Sequence, residues 1–226
     1  RLLEAEGVPD SVRQQVLDLE EIGKTTMLVR REGTFVGVLA LADTTRAGMH
    51  EVFVKLASLG IRETVMLTGD NEPVAKAVAA SVGITDVRAG LLPEDKLKVI
   101  DELMRDHRQV AMVGDGVNDA PAMARATVGI AMGGAGTDVA LETADVALMG
   151  DDLSRLPFAI SLSRASHAII QQNLWAAFGV VALLIPATLL GLASMGLAVL
   201  IHEGATVLVV LNALRLLRFR DTDALN

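Results

Sequence analysis

The alternation of apolar and polar positions divides the 226-residue chain into two regimes. Up to Arg164, short apolar runs are separated by densely charged stretches, whereas from Ala165 to Ile201 charge is absent. In the first regime residues 11–22 read as a helix, and residues 25–29 and 35–41 as two strands around the turn Arg31-Glu32-Gly33. Helix and strand then alternate: helix 51–59, strand 63–67, helix 72–82, helix 93–105, strand 109–113, helix 120–126, strand 128–132, a helix near 137–143 and strand 146–149. Pro93 with acidic neighbours is a good helix start. Repeated βα units predict right-handed crossovers and an α/β fold built on a doubly wound parallel sheet with covered faces.

In the second regime, apolar runs at 174–190 and 197–217 each approach the roughly 20 residues that cross a bilayer. Pro186, Gly191 and Gly196 predict a bend and a short turn between them. Arg164 precedes the first run, Arg215, Arg218 and Arg220 lie at or after the end of the second, and the intervening turn has no basic residue. The positive-inside rule then puts both ends, with the soluble domain, in the cytoplasm. The expectation is a multi-pass protein of the cell's inner or plasma membrane, with a transmembrane hairpin. The alternative is a buried helical hairpin of a large soluble protein.

Composition narrows this further. A net charge of −8 with no basic stripe disfavours nucleic acid as a partner. The absence of cysteine excludes disulfides and thiolate metal sites within the chain. No signal peptide opens the sequence, and a start at Arg1 reads as that of a fragment.

The candidate chemistry centres on Gln109-Val-Ala-Met-Val-Gly-Asp-Gly-Val-Asn-Asp-Ala-Pro121. An apolar strand that breaks at Gly-Asp-Gly delivers Asp115, Asn118 and Asp119 to its carboxyl end, where α/β sheets place their sites. Carboxylates without thiols suit a hard cation such as Mg²⁺. An earlier strand ends in Thr68-Gly69-Asp70, whose hydroxyl and glycine amide can bond phosphoryl oxygens, and Lys96 supplies a compact positive charge. Singly, these read as a turn threonine, a solvated lysine and an Asp-Gly turn; together they point to phosphoryl transfer. In the second apolar run, Ile201-His202-Glu203-Gly204-Ala205-Thr206 places an ionisable pair in an apolar helix, which is costly and by default functional. Helical spacing lets His202, Glu203 and Thr206 share a broad face. Imidazole and carboxylate suit Zn²⁺, Co²⁺ or Ni²⁺ better than Cu⁺. The alternative is an interhelical hydrogen-bonded pair.

With Met66-Leu-Thr-Gly-Asp-Asn71, Pro93-Glu-Asp-Lys96 and Gly114-Asp-Gly-Val-Asn-Asp-Ala-Pro121, the chain resembles the P-type cation-transporting ATPases of the haloacid dehalogenase superfamily. Gly129-Ile-Ala-Met-Gly133, Gly136-Thr-Asp-Val-Ala140 and Glu142-Thr-Ala-Asp-Val146 extend the resemblance. His-Glu-Gly-X-Thr in the last helix resembles the heavy-metal branch of cobalt and zinc type, and Gln171-Gln-Asn173 is also similar to that branch. The resemblance implies that residues 1–42 end a nucleotide-binding domain, 43–160 form the phosphorylation domain and 161–226 form a transmembrane helix pair with a cytoplasmic tail. It implies ATP and Mg²⁺ as cofactors, with Asp115 and Asp119 on Mg²⁺ and Thr68, Gly69, Asp70, Lys96 and Asn118 catalytic. It implies a divalent heavy-metal cation as the transported substrate, held by His202, Glu203 and Thr206. Asp43 to Arg46 would be the hinge, although Asp-Thr-Thr-Arg stands where Asp-Pro-Pro-Arg is commoner. The phosphorylated aspartate of an Asp-Lys-Thr-Gly motif does not occur here and would belong to an upstream part of the same protein, leaving this fragment inactive alone. The competing readings are a soluble phosphatase of the same superfamily and a non-catalytic Mg²⁺-binding regulatory fragment.

Overall fold

The computed structural model describes residues 8–42, 45–46, 48–107, 109–114, 118–132, 142–150 and 152–220. It divides into two units, residues 1–155 and 156–226.

The first unit opens with α1 (Asp10–Glu21), which buries Val16, followed by the antiparallel hairpin β1 (Lys24–Arg31) and β2 (Thr34–Ala42). Glu32 and Gly33 both take positive φ, 48° and 86°. That two-residue geometry matches the twist of paired strands. On the α1 side Thr26 is buried and its hydroxyl donates to Glu20 Oε1 at 2.9 Å. Met27 pairs with Leu39 and Thr25 with Leu41, so Met27, Val29, Leu39 and Leu41 line the other face, and all four apolar side chains are exposed.

Two parallel sheets follow. α2 (Met49–Ser58) leads to β3 (Val65–Leu67), α3 (Glu72–Val82) and β4 (Asp86–Arg88), with β3 and β4 parallel. α3 forms where the sequence caps it at both ends: Asn71 accepts from the Val74 N–H at 3.1 Å, and Gly83 closes it at φ 86°. α4 (Pro93–His107), β5 (Ala111–Gly114), α5 (Ala120–Arg125), β6 (Val128–Met132) and β7 (Val146–Leu148) form the second sheet, ordered β5-β6-β7 and wholly parallel. Its core joins Ile100 of α4, Met112 of β5, Ala122 and Met123 of α5 and Ala131 of β6, with Leu67 of β3 packed against them. The strands are parallel as expected, but among the described residues they form two sheets rather than one. β4 was not foreseen, because its one apolar residue, Val87, stands between Asp86 and Arg88 and makes no apolar run. Most of the helix expected near 137–143 lies outside the described residues.

The second unit is a helical pair, α6 (Leu156–Leu189) and α7 (Met195–Ala213), the latter continued by a 3₁₀ turn at Leu214–Arg218. α6 begins well before the apolar run at 174–190. Pro186, expected at the bend, lies inside α6, and Gly196 lies inside α7; the turn falls at 190–194, with Gly191 at φ 72° and Ser194 capping α7 by accepting from Leu197 N–H at 3.3 Å. Pro186 lacks the N–H that would bond Ala182 O, and the helix nonetheless continues through it to Leu189. Both helices are long and apolar enough to cross a membrane, and their apolar side chains are largely exposed.

Candidate functional site

The carboxyl end of β3 is tied to the loop before α4. The Thr68 N–H donates to Arg88 O, the Leu91 N–H to Thr68 O at 3.0 Å, and the Gly90 N–H to Asp70 O at 2.7 Å. The Thr68 hydroxyl donates to Asp70 Oδ2 at 2.9 Å and accepts from the Asp70 N–H at 3.1 Å. Thr68-Gly69-Asp70 therefore forms a closed exposed turn, with the hydroxyl satisfied by Asp70. The same loop starts α4: the Leu92 N–H donates to the Asp95 carboxylate at 3.2 Å, and Lys98 Nζ to Asp95 Oδ1 at 2.8 Å. That lysine bond first, and the backbone bond second, hold the Asp95 carboxyl below the usual carboxylate range. The pinned first turn of α4 carries Lys96.

Lys96 Nζ donates to Asp119 Oδ1 at 2.6 Å, both side chains largely withdrawn from solvent at 15% and 13% exposed. A charge pair so placed must be intact, since either partner alone would be a nearly buried unpaired charge. Two glycines, unforeseen as site residues, make room for it. A Cβ at Gly114 would lie 2.7 Å from Asp119 Cβ and 3.2 Å from Met123 Sδ, and one at Gly129 would lie 2.9 Å from Met123 O. Gly129 is itself fixed, its N–H donating to Asp145 Oδ2 at 2.8 Å while the Asp145 N–H returns to Gly129 O. The pattern Gly-Asp-Gly signals a loop; the clearance around Asp119 needs the packing of α5 on β5 and β6 to be seen.

Of the remaining expected residues, Asn118 lies in an exposed turn and Arg46 in exposed non-regular chain, while Asp43 and Asp115 fall outside the described residues. As a magnesium site the described part offers an oxygen-only donor: Asp119 Oδ2 has no partner among the described residues. Gly114, which precedes Asp115 in the chain, lies against Asp119. These residues fit a hard cation.

In the second unit His202 and Glu203 line a groove of about 310 Å³ with Leu184, Ile185 and Thr188 of α6 and Val199 of α7. Thr206 does not line it; its hydroxyl donates back to His202 O at 3.1 Å. Among the described residues no three His, Asp or Glu side chains come together, so the groove holds two strong donors of its own. Asn173 joins the helices, donating to Val209 O at 3.3 Å and accepting from Asn212 Nδ2 at 2.9 Å.

Residues 1–127 match the haloacid dehalogenase-like hydrolase family. The chain belongs to that family. It is 50% identical over 203 residues to the cadmium-transporting ATPase of Staphylococcus aureus, covering 90% of this chain and 28% of that protein. It is 50% identical over 211 residues to the zinc/cadmium/lead-transporting P-type ATPase of Escherichia coli K12, covering 93% of this chain and 28% of the relative. The crystal structure of a zinc-transporting PIB-type ATPase in an E2.Pi state superposes with a TM-score of 0.78 at 48% identity, over 93% of this chain and 34% of that one. The chain thus spans about a third or less of these proteins and resembles their heavy-metal branch in both sequence and structure. The chain carries two exposed apolar helices in addition to a haloacid dehalogenase-like domain, and it is a membrane protein.

Proposed function

We propose that this chain is the C-terminal part of an ATP-driven exporter of divalent heavy-metal cations, in which hydrolysis of an aspartyl-phosphate is coupled to metal movement. The observation that carries the reading is the union, in one chain, of the Lys96–Asp119 pair at the carboxyl end of a parallel strand with a His202–Glu203 pair in an exposed apolar helix. A phosphatase has no use for the second pair, and a buried core helix would not leave it exposed.

Phosphoryl transfer needs alignment and charge neutralisation more than covalent chemistry from the surrounding protein. Asp119 holds the Lys96 ammonium in one place, so its charge meets the phosphoryl group without reorganisation. The Thr68 hydroxyl and Gly69 amide bind phosphoryl oxygens once the hydroxyl turns from Asp70, which keeps it occupied until then. Mg²⁺, when bound, neutralises phosphoryl charge and would be held by Asp115 and by Asp119 through Oδ2. Asn118 completes the polar wall, and Asp43 to Arg46 is the hinge. The phosphorylated aspartate comes from the upstream part of the protein. In support, β3 and β5 pack on one core, yet each has an edge with no strand partner among the described residues, where another parallel strand fits. Both ends of the helical pair face the cytoplasm.

For the cation, imidazole and carboxylate favour Zn²⁺ and its borderline neighbours. The relatives' names, a cadmium-transporting and a zinc/cadmium/lead-transporting ATPase, support zinc and cadmium ahead of cobalt. In the full-length protein, Zn²⁺ and Cd²⁺ should stimulate ATP hydrolysis, with Co²⁺ weaker. His202→Ala should lower metal activation roughly tenfold or more, while phosphorylation by inorganic phosphate survives. Wild-type activation in both His202→Ala and Glu203→Ala would overturn the metal assignment.

A further inference from the structure

α6 is 34 residues long, about 51 Å at 1.5 Å per residue, whereas a bilayer's hydrocarbon is about 30 Å thick. A large part of the helix therefore stands outside the membrane, and the side chains show where it emerges. Gln172 and Asn173 meet Asn212 of α7, and the hydrogen bonds of Asn173 to Val209 O and from Asn212 fix these residues at one level. Trp175, the single tryptophan, lies two residues to the apolar side of Asn173 and is 74% exposed. Tryptophan concentrates at the membrane–water boundary. Arg215 follows Asn212 by three residues and donates to its Oδ1 at 2.9 Å, and Arg218 follows one 3₁₀ turn later. Both are exposed, as is Leu217 between them at 82%. The rings of Phe158 and Phe219, 5.7 Å apart, hold this segment along the outer half of α6, which carries Arg164. From Leu156 to Arg220 the acidic residue Glu203, in the apolar groove, stands against Arg164, Arg215, Arg218 and Arg220; Asp221 and Asp223 follow, outside the described residues.

We propose that Arg215 and Arg218 form a docking surface for the headgroups of anionic phospholipids at the bilayer face where both helices emerge. Arginine presents a planar donor fork that matches phosphate, and basic groups this near a membrane surface attract anionic lipid. The exposed Leu214, Leu217 and Trp175 require the acyl region beside that charge, which a free phosphate ion does not supply. The proposal rests on the reading that the helical pair spans a membrane.

The test is native mass spectrometry of the full chain released from phosphatidylcholine vesicles containing a minority of phosphatidylglycerol. The bound phosphatidylglycerol should exceed its bulk share roughly fivefold per arginine. The enrichment should fall partly in Arg218→Gln and to the bulk ratio in Arg215→Gln/Arg218→Gln, and soluble glycerol phosphate should not displace it. Arg218 has no partner among the described residues, so its variant tests the surface without disturbing the Asn212 bond. Bulk-ratio lipid on the wild-type chain, undiminished enrichment in the double variant, or displacement by glycerol phosphate would overturn the docking surface. Failure of the chain to enter vesicles would overturn it together with the membrane reading, whereas loss of metal-stimulated ATPase activity in the full-length protein bears on the transport reading alone.

Discussion

A methyl group on Gly114 would sit 2.7 Å from Asp119 Cβ, and neither the strand nor α5 has slack to receive it. Gly114→Ala should therefore destabilise the α/β unit by about 1–3 kcal/mol and lengthen the Lys96–Asp119 contact; unchanged chemical unfolding would show that α5 is looser than described. Asp119→Ala should cost more, about 3–5 kcal/mol, because Lys96 is left charged and nearly buried. A milder effect belongs to Asp95, whose folded carboxyl titrates below its unfolded value. Its contribution to stability is present above the ordinary carboxylate pKa and disappears as pH falls through the lowered folded one. Lys98, raised chiefly by its hydrogen bond to Asp95, contributes below the ordinary lysine pKa and loses that contribution as pH rises through its raised value. Because both are exposed, the effect on α4 is small. An NMR titration should place Asp95 below a free aspartate, and a midpoint at or above it would contradict the pinned first turn.

Elements with strong local signals were legible in the sequence: α3, with Asn71 and Gly83 as caps, and β6 fall where the pattern put them. The hydrophobic run at 174–190 marked the part of α6 that meets lipid but not the helix itself, since the polar stretch through Arg164 to Gln172 also forms helix. Asn173 bridges α6 to α7 through its bonds with Val209 and Asn212, which its place before the apolar run does not encode. The close fit of Gly114 and Gly129 and the tie of Asp145 to Gly129 depend on strand register and on α5 lying against two strands, which no local spacing encodes. At this scale the prediction concerns crossing. Cysteines placed at Ser194, in the turn, and at Asp221, beyond the 3₁₀ segment, should label from opposite sides of the membrane, with Asp221 cytoplasmic. Labelling of both from one side would contradict a two-span hairpin.

Across the whole molecule, each unit holds one half of the proposed activity: phosphoryl chemistry on the carboxyl ends of β3 and β5, and metal binding in the groove of α6 and α7. Neither half has a complete set of groups among the described residues, in keeping with a chain that spans 28% of its transporting relatives. The central claim is that the two halves serve one coupled reaction. The most direct measurement is ATP-dependent Zn²⁺ uptake into inverted vesicles carrying the full-length protein, followed together with its phosphorylation. Lys96→Ala should abolish both uptake and turnover, while Glu203→Ala should abolish uptake yet retain phosphorylation by inorganic phosphate. Zn²⁺ uptake at the wild-type rate in either variant would contradict the account.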